Sequence, residues 1–121
     1  MNIFAQMQAC ETALLHTDFI RQPDLLELML AHDFQEISSV GRSSREAVRQ
    51  WLLQKDPRAR WELDQFETSE LTPDLRLVTY HARQVIPERS ASKGSLHSSL
   101  WSYSKHMQCW QLRFHQTSKL A

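Results

Sequence analysis

The sequence predicts an α+β fold in which three N-terminal helices pack against one sheet. Up to about residue 56, most apolar residues recur at three- and four-residue spacing, as on amphipathic helices. From Arg60 onward they alternate with polar residues, as in half-buried strands. Helices followed by a run of strands are typical of α+β proteins with an antiparallel sheet. The 121 residues, 41% of them hydrophobic, predict a single domain over residues 1–121.

An apolar stripe predicts the first helix, over residues 2–17. Its members recur at helical spacing: Phe4, Met7, Cys10 and Leu14. A second, short helix is predicted to begin at Pro23, because proline suits the first helical turn. The apolar residues of that helix are Leu25, Leu28 and Met29.

A strand is predicted over residues 32–39, because its side chains alternate between two faces. One face carries Phe34, Glu36 and Ser38, and the other carries Gln35, Ile37 and Ser39. Residues 40–42, which include Gly41, then turn the chain.

A third helix follows the turn, with either Ser43 or Ser44 as its N-cap. If Ser43 is the cap, Glu46 is placed to complete a capping box. The apolar stripe of this helix is Ala47, Val48, Trp51 and Leu52. Residues 55–57, which end in Pro57, terminate it.

The later part of the chain predicts four more strands. Their ranges are 60–71, 75–86, 95–104 and 107–117. Breaks at 72–74, 87–94 and 104–106 separate them, and the small polar residues from Glu88 to Lys93 predict a loop.

Both faces of this sheet carry apolar side chains. In the strand at 75–86, Leu75 and Leu77 oppose Val78, Tyr80 and Ala82, and in the next strand Leu96 and Leu100 oppose Trp101 and Tyr103. Three short helices can cover only one face. The other face therefore predicts a homodimer formed through the sheet.

Charge and hydropathy exclude several classes of partner. Residues 1–74 hold 13 acidic and 7 basic side chains, a net −6, and residues 75–121 hold 1 and 7, a net +6. Because the basic residues are dispersed, this asymmetry favours layers that complement each other, within one fold or between subunits, over a basic face for an anionic ligand or nucleic acid. No apolar run approaches the roughly 20 residues of a membrane span, and no secretory signal precedes the first helix.

The two cysteines, Cys10 and Cys109, lie far apart in apolar runs. This placement predicts two buried, reduced thiols and a cytoplasmic protein. Neither the cysteines nor the histidines show metal-ligand spacing, and Gly41 and Gly94 are the only glycines. No metal and no cofactor are therefore predicted.

Four segments carry a resemblance to a known family. They are Asp33 to Arg42 (DFQEISSVGR), Ser44 to Val48 (SREAV), Leu96 to Trp101 (LHSSLW) and Trp110 to Gln116 (WQLRFHQ). Together with the order of elements, they resemble a bacterial branch of unknown function in the nuclear transport factor two-like (NTF2-like, or SnoaL-like) superfamily. The sequence departs from that branch where His97 replaces its usual Arg and Thr117 its usual Gly.

The resemblance implies a cone-shaped fold, in which a curved antiparallel or mixed sheet and the helices enclose a pocket. The superfamily includes steroid isomerases, polyketide cyclases, dehydratases, ligand binders and association modules, so fold alone does not assign an activity. The steroid isomerases place a catalytic Asp at the position of Ser38, and a serine hydroxyl cannot act as that base. The resemblance therefore argues against isomerase chemistry by the family mechanism.

Glu36 and His115 are the candidate catalytic residues. A carboxylate beside Phe34 inside a cone would be desolvated, which raises its pKa toward the range of a general base. A rim ion pair with Arg42 or Arg45 is the alternative for Glu36. His115 can serve as acid or base near neutral pH, or can donate a structural hydrogen bond to a carboxylate or the backbone.

The candidate ligand-binding residues lie on the same strands. They are Phe34, Ser38, His97, Trp101 and Gln116. His115 and Gln116 point to opposite faces of the last strand, so the sequence leaves open which face lines the cone. Trp101 also fits a core or interface position.

Two functions remain open at this stage. One is a pocket that binds a small, partly apolar molecule, with cofactor-free hydration, dehydration or isomerisation as its possible chemistry. The other is a non-catalytic association module whose cone is filled by its own side chains. An open apolar pocket lined by Glu36 and a histidine would favour the first.

Overall fold

Three helices and six strands make up the fold, for which a computed structural model describes residues 2–56, 58–85 and 93–121. In chain order the elements are α1 (Ile3–His16), α2 (Pro23–Met29), β1 (Leu30–Ser38), β2 (Gly41–Ser43), α3 (Arg45–Gln54), β3 (Arg60–Thr72), β4 (Leu75–Val85), β5 (Ser95–Ser104) and β6 (Cys109–Lys119). The predicted loop at 87–94 lies largely outside the described residues.

The strands form one mixed sheet in the order β2-β1-β6-β5-β4-β3. Neighbouring strands are antiparallel except β1 and β6, which run parallel, with Glu36 beside His115. The helices cover the inner face of this sheet. The predicted α+β fold, with three helices packed on a mixed sheet, is confirmed.

The turn after β1 differs from the prediction. Gly41 has φ +110°, a conformation that glycine adopts without strain, and it opens the short strand β2, which was predicted only as a turn. Ser44 then caps α3, since its hydroxyl accepts a hydrogen bond from the backbone N–H of Ala47 at 3.2 Å. The capping box based on Ser43 is therefore wrong.

The inner face of the sheet carries the core. The largest fully buried apolar side chains are Trp101, Phe19, Met7, Leu26, Leu30, Leu112 and Val78. Glu11, on α1, is also fully buried among them. Its carboxyl oxygens accept hydrogen bonds from the Tyr80 hydroxyl at 2.8 Å and from Nε1 of Trp101 at 2.9 Å. This polar contact ties α1 to β4 and β5 through the core.

The cysteines are free, as predicted, but both are half-buried rather than fully buried. Cys10 lies on α1 and Cys109 opens β6. Burial raises the pKa of the Cys10 thiol to about 11, which keeps it in the weakly reactive thiol form at neutral pH.

The outer face of the sheet also carries apolar side chains, as predicted. Leu77, Leu100 and Phe114 are direct neighbours across β4, β5 and β6. Leu77 is 36% exposed, and Leu96, nearby on β5, is 45% exposed. These four residues are called the outer patch below.

His81, on β4, lies within hydrogen-bond distance of Asp64 on β3 and of Lys93, which precedes β5. Its Nδ1 lies 2.8 Å from Oδ1 of Asp64, and its Nε2 lies 2.7 Å from the carbonyl oxygen of Lys93. A carboxylate and a carbonyl can only accept, so this geometry favours a ring with hydrogen on both nitrogens, which is the imidazolium form of His81. The bond to Lys93, followed by the bond to Asp64, raises the pKa of His81 above 6.5. Gly94 leaves room for this contact, since a Cβ there would approach Nε2 of His81 to 2.7 Å.

A pH dependence of stability follows from this raised pKa. The stabilisation is fully present below about pH 6.5, where the unfolded chain is also protonated, and is lost as pH rises through the folded-state pKa. We expect the melting-temperature advantage of the wild type over His81→Phe to shrink as pH increases. Thermal melts of both proteins between about pH 5 and 9 measure it. An advantage that does not change with pH would contradict the imidazolium assignment.

Candidate functional site

A cavity of about 450 Å³ lies between the inner face of the sheet and the helices α1 and α3. This volume falls within the roughly 300–1,000 Å³ that small-molecule sites occupy. The apolar side chains of its lining come mainly from α1, α3 and the sheet floor: Leu14, Leu15, Phe34, Val40, Ala47, Val48, Trp51, Leu52, Trp61, Tyr80 and Leu112. The cone is therefore open and mainly apolar.

The polar side chains of the lining come from the strands. They are Glu36, Ser38, Ser43, Ser95, His97, His115, Thr117 and Lys119. The inner end of the cavity is closed by buried Phe34, Tyr80 and Leu112, whereas Val40 and Trp51 are exposed at its mouth. The cavity thus opens beside Trp51, with apolar helical residues on one side and most of its polar residues on the strand side.

Three of the polar residues form a hydrogen-bonded chain. Oε1 of Glu36 lies 2.6 Å from Nδ1 of His115, and Nε2 of His115 lies 2.9 Å from Nδ1 of His97. The parallel pairing of β1 with β6 places Glu36 beside His115, and the antiparallel pairing of β6 with β5 brings His97 alongside. The side chains of Glu36 and His115 are 23% and 14% exposed, so the chain is shielded but reachable.

His97 is the most deeply placed member, at 8% exposure. Its ring stacks on Tyr80 with a centroid distance of 4.9 Å and an interplanar angle of 5°. Burial, together with the neighbouring His115, lowers the pKa of His97 to about 3. His97 is therefore a neutral imidazole at physiological pH.

Tyr80 links this site to the buried carboxyl group of Glu11. Burial and the proximity of Glu11 raise the pKa of the Tyr80 phenol well above 10. The phenol is therefore a permanent hydrogen-bond donor to Glu11. The bond to Glu11 fixes the orientation of the Tyr80 ring, and the His97 ring stacks on the face of that ring.

Solved structures resemble this chain over nearly its whole length. A candidate ketosteroid isomerase from Parabacteroides distasonis superposes with a TM-score of 0.77 at 11% identity, covering 98% of this chain and 89% of that one. An NTF2-like protein of unknown function from Rhodospirillum rubrum gives 0.73 at 16% identity, with both chains fully covered. The chain has the NTF2-like fold.

The CamKII hub homology domain of Chlamydomonas reinhardtii also superposes on this chain, with a TM-score of 0.77 at 10% identity and full coverage of both chains. No family model and no curated protein matches the sequence. Relatives this distant establish the NTF2-like fold and leave the activity to be argued from the site.

Five of the predicted site residues line the NTF2-like cone: Phe34, Glu36, Ser38, His97 and His115. Glu36 pairs with His115 instead of forming the alternative rim pair with Arg42 or Arg45. The guanidinium group of Arg45 is engaged elsewhere, with Glu27 and the backbone oxygens of Leu30 and Ala31.

Two predicted ligand-binding residues do not line the cavity. Trp101 faces inward but is fully buried in the core, where its indole N–H is bonded to Glu11. Gln116 faces the outer side of the sheet, because it neighbours His115 along an extended strand, and its amide donates to Ser118. Neither residue is therefore placed to contact a molecule in this cavity, which differs from the prediction.

Thr117, Tyr80 and Glu11 also lie in or behind this site, and none of them was predicted as a site residue from the sequence. Alternation from His115 could have found Thr117, which is two residues further along the same face. Tyr80 and Glu11 depend on strand register and on contacts between residues 69 and 90 positions apart, which periodicity does not carry.

The described part of the chain holds no metal cluster: no group of three or more histidine, cysteine, aspartate or glutamate side chains is arranged to bind an ion. Within the same residues, no helix has the length and apolar character needed to cross a bilayer.

Proposed function

We propose that this chain binds a small, partly apolar organic molecule in its cavity and acts on it by cofactor-free proton transfer. The observation that carries the proposal is the Glu36–His115–His97 chain in the wall of an open apolar cavity. Hydration, dehydration and isomerisation are the reaction classes that such a wall can serve. Glu36 is the proposed acid–base group, and His115 holds it in place.

The geometry around Glu36 supports this role. Oε1 is bonded to His115, while no described residue donates a hydrogen bond to Oε2. One oxygen is thus anchored and the other is available to a ligand proton. An apolar, partly enclosed wall strengthens electrostatic interactions with a bound molecule, which favours proton transfer at a positioned carboxylate.

A thermal-shift screen with small hydrophobic acids, ketones and lactones tests the proposal. We expect members of one of these classes to raise the melting temperature of the wild type. Glu36→Gln keeps the shape and removes the charge, so it should retain binding and lose turnover of the compound found. Glu62→Gln, in an exposed pair with Arg83, is the matched control and should change neither.

The association-module alternative predicts the opposite result of this screen. An association module with a filled cone would have no cavity of this size, whereas the structure has one of about 450 Å³. Self-association as the main role is compatible with a cavity that binds no compound. If no compound shifts the wild type and ligand-free crystals show the cone closed by side chains, the pocket proposal fails and the association module replaces it.

We also propose a homodimer through the outer patch. Its support is the exposure of Leu77 and Leu96 beside Leu100 and Phe114, and the likeness of the fold to a hub homology domain. A standard interface would bury on the order of 1,200–2,000 Å² in total.

The two free thiols support a reducing compartment, and hence the cytoplasm, as the location.

Sedimentation velocity of charge variants tests this dimer. Leu77→Asp should convert a dimer to a monomer at micromolar concentration, because it places a charge within the patch. Ile20→Asp is the matched control, since Ile20 is an exposed apolar residue that precedes α2 and lies outside the sheet. A wild type that sediments as a monomer would refute the proposal.

A further inference from the structure

We infer that His115 and His97 form a tautomeric switch: one proton taken up by the pair converts Nε2 of His97 from a hydrogen-bond acceptor into a donor. The switch lies in the site proposed above, and its consequence for ligand choice rests on that proposed function. The switch itself is a property of the ligand-free protein and rests on the two hydrogen bonds that join Glu36, His115 and His97.

In the neutral pair the direction of each bond is set by Glu36. A carboxylate only accepts, so Nδ1 of His115 carries the hydrogen and Nε2 of His115 holds a lone pair. The nitrogen facing that lone pair, Nδ1 of His97, must then donate. A neutral imidazole carries one hydrogen, so Nε2 of His97 is left as an acceptor.

Adding one proton reverses this order. The proton binds Nε2 of His97, the hydrogen on Nδ1 of His97 crosses the 2.9 Å bond to Nε2 of His115, and His115 becomes an imidazolium. His97 ends neutral, with its hydrogen on Nε2. One proton has entered, none has left, and the positive charge lies beside Glu36, 2.6 Å from Nδ1 of His115.

The surroundings keep the charge on His115. Two imidazolium rings whose facing nitrogens lie 2.9 Å apart would repel each other, so the pair holds one added proton. Burial and His115 lower the pKa of His97 to about 3. The ionisable groups around the pair are Glu36 on β1, Lys119 on β6, Tyr80 and His81 on β4 and Glu11 behind Tyr80 on α1. The lining residues of α3 are apolar.

Nε2 of His97 is the atom whose role changes, and it is buried without a partner among the described residues. A buried polar atom without a partner is costly, so a bound molecule that reaches Nε2 after a small shift of the surrounding side chains would gain a hydrogen bond. The neutral pair therefore favours a ligand hydroxyl over a carbonyl, because only the hydroxyl can donate to Nε2. The protonated pair can bond either group, because a hydroxyl oxygen also accepts, so the cavity would lose its preference for the alcohol at low pH.

Nitrogen-detected NMR of the ligand-free protein tests the switch, because it reports which ring nitrogen carries hydrogen. Between about pH 8 and 5, the range in which histidines ordinarily titrate, we expect His97 to keep one hydrogen that moves from Nδ1 to Nε2. The proton that the pair takes up should be found on His115, beside Glu36. Exposed His106, which lies outside the cavity, is the internal control and should show no tautomer exchange coupled to another ring.

Two results would overturn the switch: a His97 that itself becomes doubly protonated, or one that keeps the same tautomer throughout. Glu36→Gln removes the anion beside His115 and should move the transition to lower pH. If that variant does not fold, the tautomer of His97 in the wild type decides the switch alone.

Calorimetry with cyclohexanol and cyclohexanone tests the ligand consequence. We expect the advantage of cyclohexanol over cyclohexanone to shrink as the pH falls through the NMR transition. Equal pH dependence for the two compounds would refute the selectivity. If neither compound binds, the proposed pocket function is weakened, while the NMR result still decides the switch.

Discussion

Trp101→Ala should lower the free energy of unfolding by roughly 3–5 kcal/mol, the cost of a large cavity in a packed core. Trp101 is fully buried, and its indole N–H is bonded to Glu11 across the interface between the sheet and α1. This is a large part of the roughly 5–15 kcal/mol that holds a domain folded. Urea denaturation followed by circular dichroism measures the loss.

Trp51→Ala is the matched control for this prediction. Trp51 is 50% exposed at the mouth of the cavity, so its removal leaves a smaller defect. Phe114→Ala should also cost less than Trp101→Ala, because Phe114 lies half-buried on the outer face. Equal denaturation midpoints for Trp101→Ala and Trp51→Ala would show that Trp101 does not occupy the core.

Glu11→Ala is the second change for which we expect a large loss of stability. It leaves the Tyr80 hydroxyl and the Trp101 indole N–H buried without an acceptor, at about 1–3 kcal/mol for each unpaired donor. The lost side-chain volume adds a cavity. The same urea denaturation measures the change, with Glu46→Ala on the exposed side of α3 as the control.

A double-mutant cycle separates the hydrogen bonds from the cavity. Tyr80→Phe removes one of the two donors, so Glu11→Ala should cost less in the Tyr80→Phe background than in the wild type. Additive losses would show that the Glu11–Tyr80 bond contributes nothing and that the cavity accounts for the whole effect.

Much of the fold could be predicted because local periodicity carries it. The stripe that contains Met7 and Leu14 predicts α1, and alternation predicts β5 at the range observed. The same alternation places Phe34, Glu36 and Ser38 on one face, which is the face that lines the cavity. A hydrogen bond from His115 to a carboxylate was one of the two alternatives considered, and Glu36 supplies that carboxylate.

A bulge in β6 is one reason why alternation along the sequence does not identify the face of that strand that lines the cavity. Leu100 is paired with Phe114 but Trp101 with Leu112, so Arg113 is an extra residue. Strict alternation would place Leu112 and His115 on opposite faces. The bulge brings both inside, and nothing in the local sequence pattern marks it.

The remaining differences arise from contacts between distant parts of the chain. The parallel pairing of β1 with β6 joins residues about 79 positions apart, and no local signal selects it. Glu11 interrupts the apolar character of α1 and reads as a solvent-facing residue until Tyr80 and Trp101 are placed opposite it. Burial of a polar side chain depends on its partners, which a single sequence does not identify.

The position of β6 in the sheet has a consequence for synthesis of the protein. β3, β4 and β5 form an antiparallel meander of near neighbours, whereas β1 and β2 reach that meander through β6. During synthesis, Glu36 cannot pair with His115 until a further 79 residues have been made. Contacts between residues so far apart in the chain form slowly. The polar wall can therefore form only after β6 has been made, and a chain that ends before β6 lacks it.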